Sequence, residues 1–183
     1  MSVPHGIKLL GVLGAGQMGT GIALVSALRA KVPVLLHDKS KDQVSRGLTL
    51  MDKLLAKDVA KGRLQPSEAQ EARARIRTVD TLEDMREVDM AIEAVSEDVD
   101  LKRTIFRNFA EKLNQDAILA TNTSSISITK IAASVLPDGV SAASEHGQAA
   151  TGRVVGEQRR TRPQKSEHKA YFTQASTFLI LCQ

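Results

Sequence analysis

Ile7-Lys8-Leu9-Leu10-Gly11-Val12-Leu13-Gly14-Ala15-Gly16-Gln17-Met18-Gly19-Thr20-Gly21-Ile22-Ala23 reads as a buried strand, a glycine turn and the opening of a helix. Ile7, Leu9, Leu10, Val12 and Leu13 form an apolar run long enough for one strand of a parallel sheet, where both faces are covered. Gly14, Gly16 and Gly19 then give G-x-G-x-x-G. The first glycine of that pattern allows the tight turn. The second lets the backbone approach a phosphate, and the third lets the helix pack closely on the strand. Free N–H groups at the helix start, together with its dipole, favour a bound anion.

The surroundings strengthen a motif that is weak alone. Leu24, Val25, Ala27, Leu28 and Ala30 continue the helix, and a second apolar run, Val34-Leu35-Leu36-His37, ends in Asp38, 19 positions after Gly19. That is close to the spacing of the acid that binds the ribose hydroxyls of NAD. An NADP site more often has an Arg nearby, whereas Asp38 is followed by Lys39-Ser40-Lys41, so NAD is the expected cofactor. The alternative is a glycine turn in an ordinary α/β domain, with Asp38 a solvated strand end.

Composition sets the outer bounds. The 183 residues suit one domain with a real core, and 42% hydrophobic and 25% charged residues suit a soluble globular chain. No apolar run reaches the length of a membrane span, so no membrane partner is expected. The first strand follows the N-terminus almost directly, which predicts no presequence. The lone Cys182 rules out a disulfide framework within the chain and fits a reducing compartment. A cytoplasmic location is the expectation, with mitochondrial or peroxisomal sites as alternatives. The net charge of +4 comes mostly from Arg159, Arg160, Arg162, Lys165 and Lys169 near the C-terminus. With few aromatics among them, no nucleic-acid partner is expected.

After Asp38, Asp42 to Lys61 reads as a helix with Val44, Leu48, Met51, Leu54, Leu55 and Val59 as its stripe. Gly62 is a plausible stop, and Pro66-Ser67-Glu68 starts a second helix. The Lys53, Lys57 and Lys61 face reads as solvated surface. Ile76 to Val79 and Val88 to Val95 read as strands, and Glu97-Asp98 as a helix opening, with Leu101, Ile105, Phe106, Phe109 and Leu113 as a core stripe. Ala117 to Ala120 is the next strand, running into Thr121-Asn122-Thr123-Ser124-Ser125, and a helix from Ile126 ends near Pro137. Strands alternating with helices predict an α/β fold with a Rossmann-type doubly wound parallel sheet and right-handed crossovers. A helical pair is inserted after the second strand. Ligands then belong at the carboxyl ends of the strands. Turn and cap chemistry is the simpler reading of Thr123 and Ser125.

On Gly14-Ala15-Gly16-Gln17-Met18-Gly19, Val34 to Asp38, Ala91 to Glu97, Lys102 and Ile118 to Ile126, the chain resembles the NAD-binding domain of the L-3-hydroxyacyl-CoA dehydrogenase family, which includes 3-hydroxybutyryl-CoA dehydrogenases. The resemblance covers Ile7 to Gly156. It implies an oxidoreductase of fatty acid metabolism, moving a hydride between NAD and the 3-hydroxyl carbon of an acyl-CoA. It implies cofactor contacts at Gly14, Gly16, Gln17, Met18, Gly19, Asp38, Glu97, Lys102 and Ser124, with Ser124 also in a supporting catalytic role near the reacting oxygen. The helices from Asp42 to Arg75 resemble the family's CoA-facing appendage. No metal cluster is expected.

One departure bears on activity. The family follows Gly-Arg-Val-Val-Gly with a segment carrying its catalytic His. Here Gly152-Arg153-Val154-Val155-Gly156 leads into Glu157-Gln158-Arg159, and Gln158 stands at the place of that His. His146 reads as a loop histidine toward the amino end of the last strand, and His5, His37 and His168 have no better claim. The expectation is therefore a dinucleotide-binding domain over 1–156 and a divergent, disordered tail over 157–183. The family's C-terminal helical domain is expected to be missing, the chain being a truncated form with negligible turnover alone. Val154 and Val155 would lie near an unfinished sheet edge, with self-association or pairing with a full-length relative as the outcome. The other readings are an active dehydrogenase with an unusual ending, and a non-functional truncated product.

Overall fold

The computed structural model describes residues 6–123 and 125–156. Six strands form one all-parallel sheet: β1 (Leu10–Leu13), β2 (Val34–His37), β3 (Ile76–Thr78), β4 (Met90–Glu93), β5 (Ile118–Thr121) and β6 (Val154–Gly156). Their spatial order is β3-β2-β1-β4-β5-β6. β1 is the pivot, pairing Leu10 with Val34 of β2 on one side and with Met90 of β4 on the other. The chain thus winds outward from β1 in one direction and then in the other, and the crevice lies where the direction reverses. The expected doubly wound sheet is the observed one.

Helices cover both faces. α1 (Gln17–Val25), continued by a π-turn over Ser26–Ala30, packs on one face with α2 (Lys41–Ala60) and α3 (Pro66–Ala74). α4 (Val99–Lys112) and α5 (Ile128–Ala132) cover the other. Because both faces are covered, the central strands are mostly apolar on both sides. Leu10, Val12, Val34 and Leu36 point to the first layer, while Leu35, Ala91 and Leu119 point to the second. In the second layer the Phe106 and Phe109 rings lie 5.5 Å apart between α4 and the sheet.

Local chemistry explains the boundaries. Ser40 caps α2 by accepting the Gln43 N–H, and Pro66 occupies the first position of α3, where its missing N–H costs nothing. Asp98 caps α4 through the Leu101 N–H, one residue later than the Glu97-Asp98 opening suggests. Among the described residues, the missed α-helix is α6 (Glu145–Gly152), capped by Ser144 through the Gly147 N–H. His146 is therefore not a loop histidine. It sits exposed in the first turn of a helix that leads into β6, at the helix end remote from that strand. β6 is the outer strand among the described residues, yet Val154 and Val155 are buried side chains. Ser124, His5, and everything expected of residues 157–183, including Gln158, His168 and Cys182, lie outside the described residues.

Candidate functional site

In the turn between β1 and α1, Gly14 and Gly19 leave no room for a side chain. Gly14 has φ +107°, and a Cβ there would stand 2.5 Å from the Ala94 carbonyl oxygen. A Cβ on Gly19 would stand 1.8 Å from the Gly14 carbonyl oxygen, so this residue sets how closely α1 sits on β1. Gly16 differs. Its Cβ would meet only Gln43 Nε2, at 3.8 Å, which leaves open space above the backbone. Gly16 is also the N-cap of α1; it makes no side-chain cap bond, and no acid lies in the first turn. The positive end of the helix is therefore left for an anion from outside the helix.

Asp38 lies just past the end of β2 and is tied to that turn. Its Oδ2 accepts the Ala15 N–H at 2.8 Å, and its Oδ1 accepts the Ser40 N–H at 2.9 Å. Each carboxylate oxygen keeps a further lone pair for a hydroxyl. Asp38 is thus not merely a solvated strand end. Beside it, His37 Nδ1 donates to the Val79 carbonyl oxygen at 3.1 Å, which fixes the ring at the lip of the site.

These groups border one cleft of about 470 Å³ at the carboxyl ends of β1, β2 and β4. Gly14, Gly16, Asp38, Lys39 and Gln43 are among its polar lining. Leu82, Val95, Leu101 and Ile105 are among its apolar lining, with Asn108. Groups suited to a ribose-phosphate chain and groups suited to a flat, largely apolar ring thus line one cleft, so the residues present fit NAD. The turn that carries Leu82 is pinned by two carboxylates. The Thr81 hydroxyl and then the Thr81 amide hold the Asp84 carboxyl below its ordinary value, and Lys112 does the same for Glu83.

Not every expected contact reaches the cleft. Gly14, Gly16 and Asp38 line it, Gly19 is buried beneath it, and Gln17 and Met18 are exposed in the first turn of α1. Glu97 lies in the link between β4 and α4, where its Oε2 accepts the Thr123 hydroxyl at 2.7 Å and the Ser125 hydroxyl at 3.3 Å. Thr123 in turn accepts the Ile126 N–H, the turn chemistry anticipated for it. Lys102 does not line the cleft. Both it and Glu93 are fully buried, and they pair at 2.6 Å. Glu93 Oε1 also accepts the Val95 N–H at 2.7 Å, and Oε2 accepts the Thr121 hydroxyl at 2.7 Å. Lys102 therefore serves the cleft at one remove, through the acid that fixes Val95 in its wall. Sequence reasoning did not single out Gln43, Leu82 or Asn108, and it assigned Leu101 and Ile105 to the core alone. Among the described residues, no group of three or more His, Cys, Asp or Glu could hold a metal ion, and no helix is long and apolar enough to cross a membrane.

The chain matches the family model described as 3-hydroxyacyl-CoA dehydrogenase, NAD binding domain, over residues 9–140. It is 42% identical over 127 residues to a 3-hydroxybutyryl-CoA dehydrogenase of Bradyrhizobium diazoefficiens, covering 69% of this chain and 43% of that protein. It is 41% identical over 130 residues to a fatty acid oxidation complex subunit alpha of Pseudomonas entomophila, covering 71% of this chain and 18% of that one. Among solved structures, M. tuberculosis FadB2 superposes with a TM-score of 0.77 at 30% identity, over 96% of this chain and 61% of that one. The chain thus spans less than half the length of these two curated relatives.

Proposed function

The chain belongs to the 3-hydroxyacyl-CoA dehydrogenase family, whose NAD-binding domain it carries, and from that premise we propose that it binds NAD(H) at the carboxyl edge of its sheet as the cofactor half of a 3-hydroxyacyl-CoA dehydrogenase. The observation that carries this is the convergence of three features on one cleft: the glycine turn, the open backbone over Gly16, and Asp38. The first turn of α1, with Gly14, Gly16, Gln17, Met18 and Gly19, takes the pyrophosphate. Asp38 takes the adenosine ribose hydroxyls, and its charge repels a 2′-phosphate. Bound NAD would supply a hydride acceptor at its nicotinamide ring. Glu97 and Ser124, which follow β4 and β5, belong on that side of the site, with Ser124 near the reacting oxygen.

The family acts on acyl-CoA substrates, and the 3-hydroxyl carbon of such a thioester is the proposed site of hydride transfer for the assembly to which this domain contributes. The 183-residue chain on its own is proposed to bind cofactor without turnover. Oxidising an alcohol requires a base for its proton, and Gln158, at the position that the resemblance gives to the base, cannot accept one. Pairing with a full-length relative would supply that base. A cytoplasmic location is part of the proposal, and the lone Cys182 fits any reducing compartment. The deciding experiment is an NADH titration of the purified chain by fluorescence, followed by addition of acetoacetyl-CoA. Saturable binding with no oxidation of NADH is the expected result. Absence of binding defeats the cofactor reading, and rapid oxidation defeats the reading of Gln158.

A further inference from the structure

Gln43 stands in the first turn of α2, where its backbone N–H is held by the Ser40 hydroxyl at 3.2 Å. Its side chain is half-buried and lines the cleft. Nε2 lies 3.8 Å from where a Cβ on Gly16 would sit, and apart from Gly16 and its own chain neighbours nothing else comes as close to that point. Among the described residues the carboxamide has no hydrogen-bond partner. A half-buried amide without a partner, at the mouth of a site, is a group waiting for one.

The helix that carries it is held fast against the glycine turn. One turn further along α2, a Cβ on Gly47 would lie 2.8 Å from Thr20 Oγ1 and 3.0 Å from the Ala15 carbonyl oxygen. The Thr20 hydroxyl itself donates to that carbonyl at 3.0 Å. Gly47 thus lets α2 rest directly on the β1–α1 turn, which fixes the distance between Gln43 and Gly16. The open space over Gly16 is bounded by the N-terminus of α1 on one side and the Gln43 amide on the other.

We infer that Gln43 is a further cofactor-binding residue, whose Nε2 donates to a pyrophosphate oxygen lying over Gly16. This rests on the cofactor reading above and deepens it. Donors from α1 and α2 then hold the same diphosphate, and α2 is coupled to cofactor binding. A neutral donor to a charged acceptor is worth about tenfold in affinity.

The test uses the full chain and three ligands: NADH followed by fluorescence, and ADP and adenosine as its competitors, adenosine at millimolar concentration. Gln43→Leu should weaken NADH and ADP about tenfold each and leave adenosine unchanged. Gln43→Lys, which restores a donor and adds a charge, should recover both. Gln43→Glu keeps shape and helix compatibility but faces the phosphates with a carboxylate, so it should weaken both further than Gln43→Leu. That variant also serves as the test should Gln43→Leu fold poorly. Unchanged ADP affinity in Gln43→Leu and Gln43→Glu overturns the inference and leaves the cofactor reading standing. An equal loss of adenosine also overturns it, because the amide would then serve the ribose or base. A wild-type chain that binds none of the three overturns both readings.

Discussion

Asp38 links the two halves of the nucleotide cleft, since one oxygen holds the glycine turn through Ala15 and the other holds the start of α2 through Ser40. Replacing it with Ala removes both anchors and, with them, the proposed acceptors for the ribose hydroxyls. Asp38→Ala should weaken NADH binding about tenfold or more and narrow the preference over NADPH, measured by parallel fluorescence titrations. Equal NADH affinity in mutant and wild type would remove Asp38 from the site. Lys102 tests a different idea, that of a buried pair acting on the cleft wall. Lys102→Met leaves Glu93 charged and unpaired in the interior, which costs about 3–5 kcal/mol, read in a denaturant melt. Lys102→Met with Glu93→Met removes both charges and should recover part of that loss; no recovery would mean that the pair matters for its other bonds alone. Asp38 was legible in the sequence because its distance from Gly19 is a chain-length property. The place of Lys102 was not, because a lysine at a buried helix position looks like any surface lysine until its acid is located. Leu101 and Ile105 show the same limit, since periodicity reveals that a face is apolar without revealing whether it meets the sheet or a cleft.

At the scale of elements, the strands and the long helices were readable because they carry their own punctuation: Ser40 and Asp98 as caps, Pro66 as a first-turn residue. α6 carries weak signals. Gly147 and Gly152 lower its propensity, and it has no apolar stripe. It is held from outside by the Ser144 cap and by close packing, since a Cβ on Gly147 would lie 2.0 Å from the Ser141 carbonyl oxygen. The C-terminal end of α4 is likewise finished by a residue far along the chain. The Arg153 guanidinium, 4% exposed, donates to the carbonyls of Asn114 and Gln115 at 3.0 and 2.9 Å and to that of Ala110 at 3.4 Å. This ties α4 to the entry of β6 and satisfies carbonyls that the helix end leaves open. Arg153→Met keeps much of the bulk and removes the donors, so it should cost about 2–3 kcal/mol of stability by denaturant titration. Because Leu101 and Ile105, the apolar part of the cleft wall on α4, lie in its first half, NADH affinity should change little; a large loss of affinity without loss of stability would contradict that division.

The described sheet is closed on both faces by its own helices, and every element that borders the cleft lies between Leu10 and Lys112. Cofactor affinity should therefore not depend on the last 27 residues. Deleting residues 157–183 should leave the NADH dissociation constant within about twofold of the full chain, whereas loss of folding would make that segment integral to the domain. Chemistry is a separate matter. A positioned base contributes on the order of 100- to 10,000-fold, and holding substrate in line with the nicotinamide contributes more. His37, which borders the cleft, is committed at Nδ1 to Val79 and lies next to Asp38, so on the proposed binding mode it would face the adenosine end of the dinucleotide. His146 sits exposed on α6. On that binding mode neither would take the alcohol proton, and the amide of Gln158 is not basic enough to do so. With saturating NADH and acetoacetyl-CoA, the chain alone should oxidise NADH at less than about one hundredth of the rate of a full-length family member. A comparable rate would mean that the proton reaches the forming alcohol by another route, and loss of that rate in His146→Ala would identify it.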